Sequence, residues 1–255
     1  MKNILFSTLL LVSSICFAQE EMETDRPDQT ECSSVVKSGC IQLETGVIYS
    51  TDYSNNATSN AFNYATSLIR IGVFKSAELR LEIGEYEKTN FFENKNRFSV
   101  EGFTPLVLGT KIAVTEERGF VPQIAFIGHI ELPLGDKKFI NKNEILPSFR
   151  FSLSHSLLPK LNVGYNLGME WGNGSLSPKY IYTFTIAFDI GKKAGIFIET
   201  FGDFSNYIYP ESYFDCGITY LLFKNFQLDI SAGSALNENS TDFFANAGFS
   251  LRLPN

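Results

Sequence analysis

Hydroxyl and imidazole side chains lie next to each other at one place in the chain, Ser154, His155 and Ser156. A serine hydrolase needs a hydroxyl within hydrogen-bonding reach of a base. These residues belong to a segment that alternates apolar and polar positions, as a β-strand does. Neighbouring residues of a strand point to opposite faces of the sheet, so the histidine cannot pair with either serine. A lipid hydrolase is therefore the least favoured function, and no catalytic residue is predicted.

Carboxylates are the second residue type that could do chemistry. Asp215 and Asp229 lie on the same face of two neighbouring predicted strands, where they could bind a cation. A solvated or arginine-paired arrangement is favoured over a cation site. The sequence has no glycine-rich phosphate loop, no His-x-x-x-His and no Cys-x-x-Cys, so it predicts neither a cofactor nor a metal.

The composition excludes several classes of protein. The 255 residues include 21 Lys and Arg against 28 Asp and Glu, which gives a net charge of -7, and 44% of the residues are hydrophobic. Such a chain is neither disordered nor strongly basic, so nucleic acid is not a predicted partner. Aromatic residues are abundant, with 24 Phe and 11 Tyr, whereas 4 Cys are too few for a disulfide scaffold.

The first 18 residues have the pattern of a cleaved signal peptide. Lys2 precedes an apolar run at 4–12, and small residues lead to Ala18. The apolar run is too short to span a bilayer as a helix, which disfavours the alternative of a retained anchor. Beyond residue 18 no stretch approaches the ~20 apolar residues that a membrane helix needs. An exported chain of this kind is either soluble or a β-barrel.

The rest of the chain alternates apolar and polar residues with a period of two, which predicts β-strands. The clearest case is 161–171, where Leu, Val, Tyr, Leu, Met and Trp occupy every second position. The predicted strands lie near 41–50, 62–74, 77–86, 105–115, 121–132, 146–156, 160–171, 179–190, 194–203, 212–221, 226–235 and 242–253.

The connections between these strands alternate between short and long. Those at 75–76, 157–159 and 191–193 are short, whereas those at 87–104 and 133–145 are longer and polar. Short turns on one rim and longer loops on the other are typical of outer-membrane barrels. The predicted fold is all-β: a single antiparallel transmembrane β-barrel over 41–255, of about 12 strands within a range of 10 to 14, with short periplasmic turns and longer extracellular loops.

Charged residues share one face of the predicted strands, and large apolar residues share the other. In a soluble β-sandwich, which is the alternative fold, the charged face would meet water. Sandwich strands usually run to ~5–6 residues, whereas these run near ten, the length of a tilted membrane strand. The charged face is therefore predicted to line a lumen. The predicted lumen-lining residues are Glu44, Arg70, Arg80, Glu82, Lys111, His129, Glu131, Arg150, Glu170, Glu199, Asp215, Asp229 and Arg252.

The stretch from Glu23 to Glu31, followed by Gln42 to Gly46, resembles the opening of the outer-membrane transporter family named for the MetA pathway of phenol degradation. Similar segments follow in order at 106–111, 215–220, 227–233 and 248–252. The resemblance covers essentially the whole mature chain. It implies a barrel in the outer membrane of a Gram-negative bacterium, surrounded by lipid, that moves small molecules, aromatic or apolar compounds among them.

The segment 19–40 precedes the predicted barrel and is too polar to cross a membrane. The opposite charges of this segment and the lumen suggest a plug, whose candidate residues are Asp25, Arg26, Asp28 and Glu31. A mobile periplasmic leader is an equally favoured alternative, because chain termini are usually disordered unless tied down. Members of the family often lack cysteine, whereas here Cys32 and Cys40 could form a disulfide in an oxidising periplasm. The sequence leaves open whether they are bonded.

Two functions are consistent with these features. The first is a passive or gated channel for small molecules. The alternative is a structural or adhesive barrel with a sealed lumen and binding loops. The sequence determines neither the solute nor the oligomeric state.

Overall fold

The computed structural model describes residues 22–54, 57–92, 97–140, 144–172, 177–206, 209–237 and 242–254. The predicted signal peptide at 1–18 lies outside this range. No helix in the described part of the chain is long and apolar enough to cross a membrane.

The described residues form β-strands joined by turns and loops. The strands are β1 (Ile41–Ser54), β2 (Ala57–Phe74), β3 (Ala77–Phe92), β4 (Arg97–Phe103), β5 (Leu106–Thr115), β6 (Gln123–Leu132), β7 (Leu146–Leu158), β8 (Leu161–Glu170), β9 (Lys179–Ile190), β10 (Ala194–Phe204), β11 (Glu211–Phe223), β12 (Phe226–Ala235) and β13 (Phe243–Leu253).

The strands close into a single antiparallel barrel. Each strand except β4 pairs with the next along the chain, and β1 pairs with β13 in the register Ile41 with Leu253. Strands β4 and β5 both pair with β3, β4 with its second half and β5 with its first half, so together they fill one position in the wall. The barrel therefore has twelve strand positions, as the sequence predicted.

The predicted loop at 87–104 is wrong. Strand β3 continues to Phe92, and β4 begins at Arg97 and runs antiparallel to it. Pro105 then separates β4 from β5, because proline has no N–H to donate to the ladder. The predicted loop at 51–61 is shortened in the same way, since β1 extends to Ser54 and β2 begins at Ala57.

The two ends of the barrel differ. β1 begins and β13 ends at one end, called the turn rim below, where short turns such as the one between β2 and β3 connect the strands. The opposite end, called the loop rim, carries the longest connection, between β6 and β7. Both ends of the strand-forming chain therefore lie at the turn rim, as an even number of strand positions requires.

Apolar side chains lie on the outer face of the barrel and charged side chains on the inner face, which is the reverse of their distribution in a soluble protein. Ile198 and Ile230 point outwards and are 49% and 56% exposed, whereas Arg70 and Lys111 point inwards and are fully buried. Apolar side chains on the outside of a closed sheet are suited to contact with acyl chains. A single closed sheet of this kind excludes the two-layered sandwich.

The apolar outer face of the barrel leads to one testable prediction. The substitution Ile198→Arg places a charge midway along the outer face of β10, and we expect it to lower the free energy of unfolding in lipid by about 2–4 kcal/mol. The matched control is Ile190→Arg, on the outer face at the end of β9, where the cost is about 0–1 kcal/mol. Denaturant unfolding in vesicles measures both, and equal effects at the two depths would contradict a membrane-spanning barrel.

Candidate functional site

Residues 22–40, called the inserted segment below, lie inside the barrel. The Glu23 carbonyl accepts a hydrogen bond from Nε2 of Gln42 (2.7 Å), close to the turn rim. The Gln29 N–H donates to Oε2 of Glu199 (2.7 Å), midway along β10. The segment then returns to the turn rim and runs directly into β1. It therefore forms an arch that enters and leaves the lumen at the same end.

Wall residues around most of the circumference contact the inserted segment. They include Glu44 (β1), Arg70 (β2), Arg80 (β3), Lys111 (β5), Ser154 (β7), Asn166 (β8), Thr183 (β9), Glu199 (β10), Asp229 (β12) and Asn246 (β13). The arch thus crosses the lumen rather than following one wall.

Asp25 is the anionic centre of the inserted segment. Its carboxylate lies 2.7 Å from Nη1 of Arg80, 2.9 Å from Nζ of Lys111 and 3.3 Å from Nη1 of Arg70. All four side chains are nearly or completely buried. Three cations from three strands therefore converge on one carboxylate that the wall does not supply.

Arg70 also joins two acids of the wall. Its guanidinium lies 2.9 Å from Oε1 of Glu44 and 2.8 Å from Oε1 of Glu78, and all three side chains are fully buried. Glu78 was absent from the predicted lumen residues, although it shares the alternation of Arg80 in β3. The group formed by Asp25, Glu44, Arg70, Glu78, Arg80 and Lys111 is called the ion cluster below. It balances three acids against three bases, as buried charges require.

Glu31 extends this side of the site towards β7 and β8. Its carboxylate lies 2.7 Å from Nη2 of Arg80 and 3.3 Å from Nη1 of Arg150. Its backbone N–H donates to Oδ1 of Asn166 (2.8 Å). Two of the four acids of the segment, Asp25 and Glu31, thus neutralise the basic half of the wall.

Arg26 points to the opposite side of the lumen. Its Nη2 donates to Oδ1 of Asp229 (3.0 Å) and to Oδ1 of Asn246 (2.6 Å). Gly46 and Gly248 face each other across β1 and β13, and a side chain at either position would overlap the guanidinium. These two glycines therefore make room for a close approach of the segment to the wall.

The wall around Glu199 is acidic and holds the segment through neutral donors. Besides the Gln29 N–H, the Thr30 hydroxyl donates to Glu199 and lies 2.7 Å from the Thr183 hydroxyl. Asp215 is paired in register with Glu199, and its Oδ1 is buried with no hydrogen-bond partner in the described part of the chain.

The remaining predicted lumen residues also lie on the inner face. His129 accepts a hydrogen bond from Nε of Arg80 (3.1 Å) and lies 3.3 Å from Glu82. Glu170 lies 3.9 Å from Nζ of Lys179, at the loop rim. Glu131 lines the larger lumen cavity, Asp28 lines that cavity beside Arg26, and Arg252 is buried near the turn rim.

Two cavities lie on the loop-rim side of the inserted segment. The larger, of about 380 Å³, has Asp25, Arg26 and Glu31 in its floor and Glu82 and Glu131 in its walls. The smaller, of about 190 Å³, lies between Gln29, Arg150, Thr183, Phe201, Asp203 and Tyr213, among others. The lumen therefore has open volume between the segment and the loop rim.

Sequence reasoning missed an aromatic group in the lumen. Phe201, Tyr213 and Phe244 point inwards from β10, β11 and β13, and their ring centroids lie 4.9 to 6.1 Å apart. The alternation of the strands could have identified two of them, because Phe201 lies two residues from Glu199, and Tyr213 two residues from Asp215, so each shares the face of that acid.

The sequence left open whether Cys32 and Cys40 form a disulfide, and in the structure both are free cysteines. The Cys32 Sγ lies 3.6 Å from Nζ of Lys111 and 3.7 Å from Nη2 of Arg70. Its thiol is therefore directed at the basic wall, whereas Cys40 lies in the turn before β1.

The serine and histidine neighbours of β7 point in opposite directions. The Ser154 hydroxyl lies inside, 2.5 Å from that of Ser33, whereas His155 lies outside beside Tyr165. No group of three His, Cys, Asp or Glu side chains in the described ranges is arranged to hold a metal ion.

Comparisons with known proteins agree with this architecture. Residues 24–253 match the family described as "Putative MetA-pathway of phenol degradation". The COG4313 outer membrane channel from Pseudomonas putida F1 superposes with a TM-score of 0.64 at 13% identity, over 89% of this chain and 100% of that one. The translocator domain of the autotransporter NalP from Neisseria meningitidis superposes with a TM-score of 0.55 at 8% identity, over 85% and 89% of the two chains. No curated protein matches the chain.

Proposed function

Because this chain belongs to the outer-membrane barrel family named for the MetA pathway of phenol degradation, we propose that it is an outer-membrane channel for small molecules. Solutes, aromatic compounds among them, cross by diffusion through the lumen, and the inserted segment is a plug that limits the passage. Lipid surrounds the outer face of the barrel. The N-terminal signal peptide directs export, and the turn rim faces the periplasm.

The observation that supports this proposal most directly is the chemistry of the contacts that hold the segment. Asp25, Arg26 and Glu31 are attached through ion pairs and hydrogen bonds to charged wall residues. Hydrogen bonds to water can replace such contacts at a small net cost in free energy, because water can satisfy both partners. Apolar packing would hold a permanent plug more firmly, because its withdrawal would expose apolar surface to water, which is unfavourable. A plug attached in this way is suited to partial or complete withdrawal.

Planar-bilayer recording of the refolded mature protein tests the channel. We expect discrete conductance steps in KCl, because the cavity above the segment is lined by hydrated charges. Protein denatured by boiling before reconstitution is the control for bilayer leakage. An electrically silent barrel, both with and without residues 22–31, would contradict the channel and favour the sealed structural or adhesive barrel.

A further inference from the structure

The short connections of the turn rim repeat one residue type, lysine. Four of them contain it: Lys75-Ser76 after β2, Pro159-Lys160 after β7, Gly191-Lys192-Lys193 after β9 and Lys224-Asn225 after β11. These four connections contain no acid, and all five lysines are exposed. None of the five forms an ion pair with a described residue. The connection between β5 and β6 differs, because its Arg118 is paired with Glu116 (3.4 Å).

An exposed apolar side chain directly precedes each of these lysine-bearing turns. The four residues are Phe74, Leu158, Ile190 and Phe223, and their exposed fractions are 70%, 61%, 51% and 64%. Each lies on the outer face, next to the surface that the acyl chains cover. The lysine side chains therefore begin one to three residues beyond the last lipid-facing side chain of the strand.

β-Bulges produce this arrangement in three of the four strands. The ladders shift register between Gly72 and Phe74, between Ser156 and Leu158, and between Leu221 and Phe223. A bulge inserts one extra residue, so the next side chain changes face. Phe74 consequently lies opposite Ala77 on the outer face, instead of sharing the inner face with Arg70. The same local change at three separate turns points to a common role for the apolar side chain and the lysine that follows it.

The lysines are distributed around the rim rather than gathered in one patch. The four turns follow β2, β7, β9 and β11, which are well separated in the closed sheet. A soluble acidic protein would dock against one side of the rim, whereas lipid surrounds the whole barrel. The distribution of charge therefore favours a lipid partner.

We infer that these five lysines, called the lysine ring below, bind the anionic headgroups of the phospholipids that surround the turn rim. The apolar side chain before each turn lies among the acyl chains, and the flexible lysine stem carries its ammonium group to the level of the phosphates. Lysines close to an anionic membrane surface are attracted to it. The inference depends on the membrane-spanning barrel and is independent of the channel, which would remain if the lysine ring were disproved.

Tryptophan quenching by brominated lipids tests this inference. Trp171, the single tryptophan of the chain, lies beyond β8 at the loop rim. Phe223→Trp combined with Trp171→Phe moves the probe to the turn rim, beside Lys224. Both proteins are refolded into phosphatidylcholine vesicles that contain either brominated phosphatidylglycerol or brominated phosphatidylcholine, and the difference in quenching reports which lipid lies next to the probe.

We expect the probe at position 223 to favour phosphatidylglycerol about fivefold at low salt, which is the contribution of one lysine near an anionic surface. In 1 M salt the preference should fall towards unity, because the Debye length shortens to about 3 Å. Trp171 should show little preference under either condition. The same probe at Leu158→Trp, beside Lys160, repeats the measurement at a second turn.

Charge variants connect the preference to the lysine ring. The triple substitution of Lys192, Lys193 and Lys224 by Gln removes the bases nearest the probe at position 223 and should abolish its preference. The matched control replaces Lys88, Lys137 and Lys138 on the loop-rim side by Gln, which removes the same net charge and should leave the preference unchanged. The gel-mobility change on boiling verifies that each variant is folded.

Three results would overturn the lysine ring. Equal quenching by the two brominated lipids at both turn-rim probes would leave the lysines to a soluble acidic partner. A preference that survives the triple Gln substitution would have a cause other than these side chains. An equal preference at Trp171 would show that the whole barrel surface, and not its turn rim, selects the anionic lipid.

Discussion

Deletion of residues 22–31 is expected to raise the single-channel conductance several-fold. This stretch makes the contacts that cross the lumen, from Asp25 at Arg80 to Gln29 at Glu199. Its removal leaves the twelve strand positions intact, because every ladder of the barrel lies between residues 41 and 253. Planar-bilayer recording of the mature protein and the deletion variant measures the change.

The same deletion is expected to shift the ion selectivity towards anions. It removes Glu23, Asp25, Asp28 and Glu31 but a single base, Arg26. It also uncovers the bases of the wall that these acids neutralise. Reversal potentials in a KCl gradient report the shift. Unchanged conductance and selectivity would show that the segment does not limit the passage.

A cross-link provides the control for the deletion. The hydroxyls of Thr30 and Thr183 lie 2.7 Å apart, so cysteines at these positions are close enough to be bridged. In a background lacking Cys32, Cys40 and Cys216, the oxidised double variant keeps the segment in the lumen. We expect a low conductance that does not fluctuate when oxidised, and the behaviour of the unmodified protein after reduction. If oxidation has no effect, withdrawal of the segment is not the gating motion.

The second large effect is expected from Arg70→Met. This substitution leaves the buried carboxylates of Asp25, Glu44 and Glu78 without their shared guanidinium. Breaking a buried ion pair by removing one partner costs about 3–5 kcal/mol, because the remaining charge stays out of water. We therefore expect a fall of this size in the free energy of unfolding, measured by denaturant titration in detergent micelles or vesicles.

Two further variants show whether burial is the cause. Arg118→Met removes the same side chain from the exposed pair with Glu116 and is expected to change stability little. Arg70→Lys keeps the charge but loses the forked geometry of the guanidinium. Its loss of stability should therefore lie between those of Arg118→Met and Arg70→Met. If Arg70→Met proves as mild as Arg118→Met, water reaches the ion cluster and compensates its charges.

The barrel could be predicted from the sequence because its signal is local. Alternation with a period of two fixes which residues share a face, and it assigned residues such as Lys111 and Asp229 to the inner face without knowledge of their partners. The hairpin of β3 and β4 was missed because its alternation is weak and the sequence between the two strands is polar. Alternation did not indicate the role of Gly46 and Gly248, which make room for the guanidinium of Arg26.

The partners within the lumen could not be predicted in the same way. Opposite charges suggested that the segment enters the barrel, but they do not determine which acid meets which base. The contact of Asp25 with Arg70, Arg80 and Lys111 depends on the path of an irregular backbone over long sequence separations. The sequence left the bonding of Cys32 and Cys40 open for the same reason, and the path of the segment directs Cys32 at the wall rather than at Cys40.

The inserted segment enters and leaves through the turn rim, so no part of it is threaded past the loop rim. The segment can therefore be withdrawn from the lumen as a loop while the wall of the barrel stays closed. A pull on the mature N-terminus would break its contacts one after another, beginning with Gln42 at the rim, instead of all at once. Mechanical load from the turn-rim side would thus open the lumen one contact at a time.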